Sequence, residues 1–287
     1  MMLKAKQYIA IGLVGLLMVV LYSLDIKGLV KQENEGEQQA EMQSTATAGG
    51  ANAAALKAED VTSVSKQMIS ASLAADIEKL EKQAKAADGT KKTELQQQLA
   101  TKWDDVNQPA AAAFYYEEVA KANPNYANWL KTADRYSEGY QNYADSTVTV
   151  GLVQKAIEAY NKALEFDKNS LDAQTGLGVA YVSGTQNPMQ GIQLLLGVVK
   201  EDPKNQKANM NLGLFSMKSG QFQKAVERFK TVLEVKPTPE AWFYLGTSYE
   251  NLGQKPEAVL AYTKAKELAA DPNLTTFVDR KIKELSN

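Results

Sequence analysis

The sequence predicts an all-α chain of stacked helical hairpins, and three observations carry that prediction. Leu-Gly pairs recur at Leu177-Gly178, Leu212-Gly213 and Leu245-Gly246, 35 and 33 residues apart. After each pair and a turn, a second apolar helix pattern opens on a small residue (Gly191, Ala225 or Ala258). It carries a large residue four places on (Leu195, Phe229, Tyr262) and a smaller one three further (Val198, Val232, Ala265). Pro203, Pro237 and Pro272 close the three units in register to within a residue or two.

The residue types follow from packing. Two helices come close only where side chains are small, so Gly or Ala marks the contact point on each partner. The Leu, Phe or Tyr fills the space between that pair and the next unit. Pro ends the unit because it cannot continue a helix. Two weaker copies lie upstream. One runs from about Thr93 through Leu99-Ala100, Trp103, Ala112, Tyr116, Val119 and Pro124. The other starts near Tyr126, with Trp129, Ala133 and Tyr136, then Ala156, Tyr160 and Ala163. An insertion of about 11 residues around Asn142 to Gly151 separates the helices of the second copy, and Lys168 stands where its Pro would be. The array thus covers residues 93–272, with units starting near 93, 126, 171, 206 and 239.

These five units resemble the tetratricopeptide repeat, a 34-residue pair of antiparallel helices, and with the amino-terminal segment described below the whole resembles bacterial single-pass, membrane-anchored proteins of that kind. The resemblance implies a solenoid whose inner surface is lined by the first helix of each unit. It places Thr175, Val179 and Val182 of the third unit, Met210, Leu214 and Met217 of the fourth, and Phe243, Thr247 and Glu250 of the fifth in that groove. A groove with such a Met-rich, apolar middle suits an amphipathic helix or an extended apolar peptide, because Met adapts its shape to a partner. The family's carboxylate clamp for chaperone tails fits poorly: only Asn211 stands at a matching place.

The flanks are read from pattern. Residues 1–7 form a short tail before Tyr8 to Leu24, 17 residues without a charge, which at about 1.5 Å per residue span about 26 Å, enough for one membrane-crossing helix that contacts the lipid bilayer. A cleaved signal peptide is the alternative; no small-x-small site follows Leu24 before Ala46-Thr47-Ala48, and no Cys is present to carry a lipid. Lys4, Lys6 and the terminal amine outnumber Lys27 and Lys31 by one charge, which favours a cytoplasmic tail. The expected location is a bacterial inner membrane, crossed once, with the carboxyl-terminal array in the periplasm.

Residues 25–60 lose periodicity and turn to Gln, Glu, Ala, Thr and Gly, a composition that cannot bury enough apolar surface to fold, so they read as a flexible linker. Residues 61–89 follow as a capping helix, with an apolar stripe from Val61 through Val64, Met68, Ile69, Leu73, Ile77 and Leu80 to Ala87 and a stop at Gly89; a self-associating coil is the alternative. A last amphipathic helix at 273–287, striped by Leu274, Phe277, Val278, Ile282 and Leu285, reads as the closing cap, with a partner-binding helix as the alternative.

Composition narrows the function. The 287 residues hold 32 basic and 34 acidic side chains for a net charge of −2, so no positive field exists to hold nucleic acid by counterion release. With neither His nor Cys, zinc sites of the usual kind, thiolate nucleophiles and His-based triads are excluded. The acidic neighbours Asp104-Asp105 and Glu117-Glu118 point about 100° apart on a helix and do not converge, so they read as solvated charges. No catalytic residue, metal ligand or cofactor site is predicted. The expected function is a membrane-anchored scaffold or assembly factor that binds protein or peptide partners through the groove. The alternative is a structural subunit of a larger membrane complex or homo-oligomer, its groove filled by the 61–89 helix or the last helix.

Overall fold

A computed structural model of the chain describes residues 56–143, 145–185 and 187–285, and among them thirteen helices and no strand. The apolar stretch Tyr8 to Leu24 and the linker to residue 55 lie outside the described residues. No described helix is long and apolar enough to cross a membrane.

Helices α1 (Ala58–Gln67) and α2 (Ala71–Ala86) precede five hairpins: α3 (Gly89–Asp105) with α4 (Pro109–Ala122), α5 (Tyr126–Asn142) with α6 (Ser146–Phe166), α7 (Leu171–Gly184) with α8 (Pro188–Glu201), α9 (Gln206–Lys218) with α10 (Phe222–Val235), and α11 (Pro239–Asn251) with α12 (Lys255–Leu268). Helix α13 (Pro272–Leu285) follows. The hairpins are punctuated by local chemistry. Asn125, Ser170, Asn205 and Thr238 each accept a backbone N–H three residues on, which satisfies a donor that the helix start leaves free. The return helices α4, α8 and α12 carry Pro109, Pro188 and Pro256 in their first two positions, where the missing N–H costs nothing.

Within a hairpin the small residues are the contacts. A Cβ placed on Gly191 would lie 2.3 Å from the Gly178 carbonyl oxygen, so α7 and α8 touch backbone to backbone. In the next two units an aromatic ring takes the space instead: Phe229 and Tyr262, both fully buried, lie 2.7 Å from where a Cβ on Gly213 or Gly246 would be. Successive first helices also touch one another (α5 with α7, α7 with α9, α9 with α11), while successive second helices make no comparable contact. The first helices therefore form the inner row of the stack and the second helices the outer row.

Three segments differ from expectation. The stretch 61–89, expected as one capping helix, is two helices. Ser70 caps α2 by accepting the Leu73 N–H, so the stripe breaks there and Val64, Met68 and Leu73 are exposed. Gly89, expected as a stop, takes a positive φ of 53° and opens α3 directly, four residues ahead of Thr93. The insertion at 142–151 is mostly helical: Asp145 accepts the N–H groups of Thr147 and Val148 and starts the 21-residue α6.

The amino-terminal pair is fastened to the array's first units. Helix α1 packs on α4, and Ala110 to Ala113, four successive residues that point around the whole circumference of α4, are all buried. Leu56, just before α1, fills the space a side chain at Gly151 of α6 would need, its Cβ 2.9 Å from that position. At the other end α13 covers the last hairpin, with Val278 fully buried against Ala258 and Tyr262.

Candidate protein-interaction surface

The nine residues assigned to the groove fall into three environments. In α7, Thr175 and Val179 are buried, and Val182 faces Gly191 of α8 with a methyl 2.8 Å from where a Cβ would lie. In α11, Phe243 is in ring contact with Tyr262 at 5.8 Å and with Phe277 of α13 at 5.7 Å. Thr247 donates to the Phe243 carbonyl and accepts from the Tyr262 hydroxyl, while Glu250 accepts from Tyr262 at 2.6 Å and from Lys281 of α13 at 2.8 Å. The capping helix therefore engages Phe243 and Glu250 of the fifth unit, while Thr247 is bonded within the unit itself.

Between them, on α9, Met210, Leu214 and Met217 are half-buried along one edge of the cluster that holds Phe229 and Leu245. No residue of α1, α2 or α13 belongs to that cluster. Exposed Lys207 and Lys218 stand at the two ends of this stripe, and neither has an ion-pair partner among the described residues. The stripe is thus an apolar surface of three flexible side chains bracketed by two cations. Asn211, the single match to a carboxylate clamp, donates instead to the carbonyl of Lys207, one turn earlier in its own helix.

The acidic neighbours prove to be structural on one side. Asp105 and Glu118 are exposed, but Asp104 accepts from the Tyr116 hydroxyl at 2.8 Å and pairs with Arg135 at 3.1 Å. Glu117 accepts from the Tyr136 hydroxyl and pairs with Lys155 at 2.9 Å and Lys121 at 2.8 Å. The same motif recurs where Tyr115 and Lys66 meet Glu81, each at 2.6 Å, and at Glu250. One carboxylate of each pair turns toward the neighbouring helix, as the 100° step requires, and there it joins two or three helices through a tyrosine and a cation.

Burial pushes the Glu117 carboxyl up, but hydrogen bonds from Lys121, Tyr136 and Lys155 outweigh it and hold the carboxyl below its usual range. Burial is likewise outweighed at Glu250, by Lys281 and Tyr262. Burial and the bond to Asp104 push the Tyr116 hydroxyl up to about 12. Sequence reasoning missed these bridges because a Tyr, a carboxylate and a Lys up to 38 residues apart, as in the pairing of Glu117 with Lys155, leave no local spacing signal.

Comparison with known proteins agrees with this architecture. A family model described as tetratricopeptide repeat matches residues 137–170, and another of the same description matches residues 216–274. The chain is 25% identical over 169 residues to the BBSome complex member BBS4 of Bos taurus, covering 58% of this chain and 32% of that one. It is 24% identical over 144 residues to Superkiller protein 3 of Schizosaccharomyces pombe, covering 45% and 10%. The chain therefore spans no more than a third of the length of these curated relatives. A thermophilic tetratricopeptide-repeat protein of Thermus thermophilus has the same fold, with a TM-score of 0.50, 21% identity, and coverage of 66% of this chain and 98% of that one. The recurring small contact residues and the paired helices agree with both family matches: residues 137–170 and 216–274 carry tetratricopeptide repeats.

Proposed function

We propose that this chain is a membrane-anchored, non-enzymatic scaffold that holds protein or peptide partners on the inner row of its helices. The observation that carries the reading is the Met210, Leu214 and Met217 stripe on α9, half-buried, free of α1, α2 and α13 among the described residues and flanked by Lys207 and Lys218. An apolar strip with cationic ends suits an amphipathic segment with acidic flanks. Replacing Met210, Leu214 and Met217 by Glu is expected to leave the helical circular dichroism intact and to remove partners captured by cross-linking in membrane extracts. An unchanged set of partners takes the stripe out of the account.

The cover that α13 lays over Phe243 and Glu250 favours a second reading, a structural subunit whose groove is partly self-filled. Size-exclusion chromatography with light scattering separates the two: a stable oligomer with no free groove favours the second reading. The same proposal places Tyr8 to Leu24 in a bacterial inner membrane and the array in the periplasm, on the apolar stretch and the one-charge bias of its flanks. Protease added to intact spheroplasts should digest the array; an array that resists digestion until the membrane is broken reverses the orientation.

A further inference from the structure

The outer row holds a cleft in the fifth unit whose counterparts in the second, third and fourth units are closed by side chains. Placing the second helices in register on Ala156, Gly191, Ala225 and Ala258, the residue three places on faces the first helix of the same unit. In the fourth unit it is Arg228, whose guanidinium donates to Asn209 at 3.0 Å and closes the space. In the third it is Leu194, packed against the main apolar cluster. In the second it is Ala159, small as well, but there Glu117 and Lys155 pair at 2.9 Å, with the lysine over the Phe114 and Tyr136 rings.

The fifth unit has neither device. Ala261 stands where Arg228 and Leu194 do, and the positions of Glu117 and Lys155 are taken by Lys230 and Glu257. Their charges are exchanged, and neither has an ion-pair partner among the described residues. What remains is a cleft of about 400 Å³ between α10 and α12, floored by Trp242, Leu245 and Tyr249 and walled by Leu233 and Leu260. Leu260 is 60% exposed at its edge, and Lys230 sits 5.8 Å from the Tyr249 ring centre on the facing wall.

We propose that this cleft is a twofold contact between two copies of the chain. A twofold interface must be self-complementary, because the same patch meets itself. This patch carries both halves of each interaction: a protruding leucine beside an apolar hole, and an unpaired lysine on one wall opposite an unpaired glutamate on the other. In the dimer Leu260 of each copy enters the cleft of its partner, and Lys230 of each copy pairs with the partner's Glu257. The surface lies on the outer row, away from the Met210 stripe, so it leaves the inner row free for other partners and stands or falls independently of it.

Sedimentation equilibrium of the full chain in density-matched detergent tests the proposal. The unaltered chain is expected to dimerise. Leu260→Glu and Ala261→Arg, the latter filling the hole as Arg228 does, should each weaken the dimer about tenfold or more while circular dichroism stays unchanged. Lys230→Glu and Glu257→Lys should each weaken it alone, and an equimolar mixture of the two single variants should restore it, because every cross-pair is then of opposite sign. A purely intramolecular role for Lys230 and Glu257 cannot produce rescue by mixing. A chain that stays monomeric overturns the proposal, as does a dimer that survives Leu260→Glu. A monomer that loses a captured foreign protein on Leu260→Glu assigns the cleft to that protein and also overturns it.

Discussion

Gly191→Ala is expected to destabilise the array by about 2–3 kcal/mol, even though alanine occupies the equivalent position in the next two units, Ala225 and Ala258. Helix propensity alone favours the change by about 1 kcal/mol. Against it, the new methyl would lie 2.3 Å from the Gly178 carbonyl oxygen and 2.8 Å from the Val182 nitrogen, and both are backbone atoms that no rotamer change can move aside. The helices α7 and α8 must separate, which exposes Leu195 and Val198, both fully buried. Overpacking of this kind costs about 1–3 kcal/mol and sometimes more; with two fixed backbone atoms in the way this clash belongs at the upper end, about 3–4 kcal/mol, and exceeds the propensity gain by about 2–3 kcal/mol. Thermal unfolding should show a midpoint lower by about 5–10 °C. The mirror changes, Ala225→Gly and Ala258→Gly, should cost about 1 kcal/mol each, the propensity difference. A Gly191→Ala variant as stable as the parent would mean that α7 and α8 are not in backbone contact.

Glu117→Gln should cost about 2–4 kcal/mol at neutral pH. The carboxylate accepts from Tyr136 and pairs with Lys155 and Lys121, and so joins α4, α5 and α6. A neutral amide leaves Lys155, itself only 22% exposed, without its counter-charge. The effect is pH-dependent with a defined sign. Because the folded carboxyl titrates below its unfolded value of about 4.3, its stabilisation is complete above that value and is lost as the pH falls through the lowered folded value. The stability gap between parent and variant, measured by urea unfolding, should be constant from neutral pH down to the ordinary carboxylate range and should close as the pH falls through the lowered folded value. A gap that does not change with pH would show that the cost is steric.

How much of this was legible in the sequence depends on the range of the signal. The five hairpins were, because each is announced by neighbours three, four and seven residues apart: Leu212-Gly213 ahead of Ala225 and Phe229, Leu245-Gly246 ahead of Ala258 and Tyr262. The first-helix membership of Met210, Leu214 and Met217 followed from the same register. The break at Ser70 was not legible, since Val64, Met68 and Leu73 continue the apolar stripe that α1 and α2 fail to bury. The closure over Phe243 and Glu250 was legible only as one of two readings, a groove left open or one filled by a flanking helix, because the contacts that decide it come from Phe277 and Lys281, 34 and 31 residues farther along. Asp104 and Glu117 looked like surface charges for the same reason: their partners come from other helices.

Periodicity and the recurrence of small residues are properties of a window shorter than one repeat, and helix formation and hairpin closure are decided within that window. All-α architecture, unit boundaries and the location of close helix contacts are therefore written locally, as is the lack of any His- or Cys-based chemistry. Which surfaces stay open is decided between units. Whether a space is closed by Arg228, by Leu194, by the Glu117 and Lys155 pair, or left empty at Ala261 depends on the volumes and charges that three separate helices bring to one point. That sum exists only after the chain has stacked.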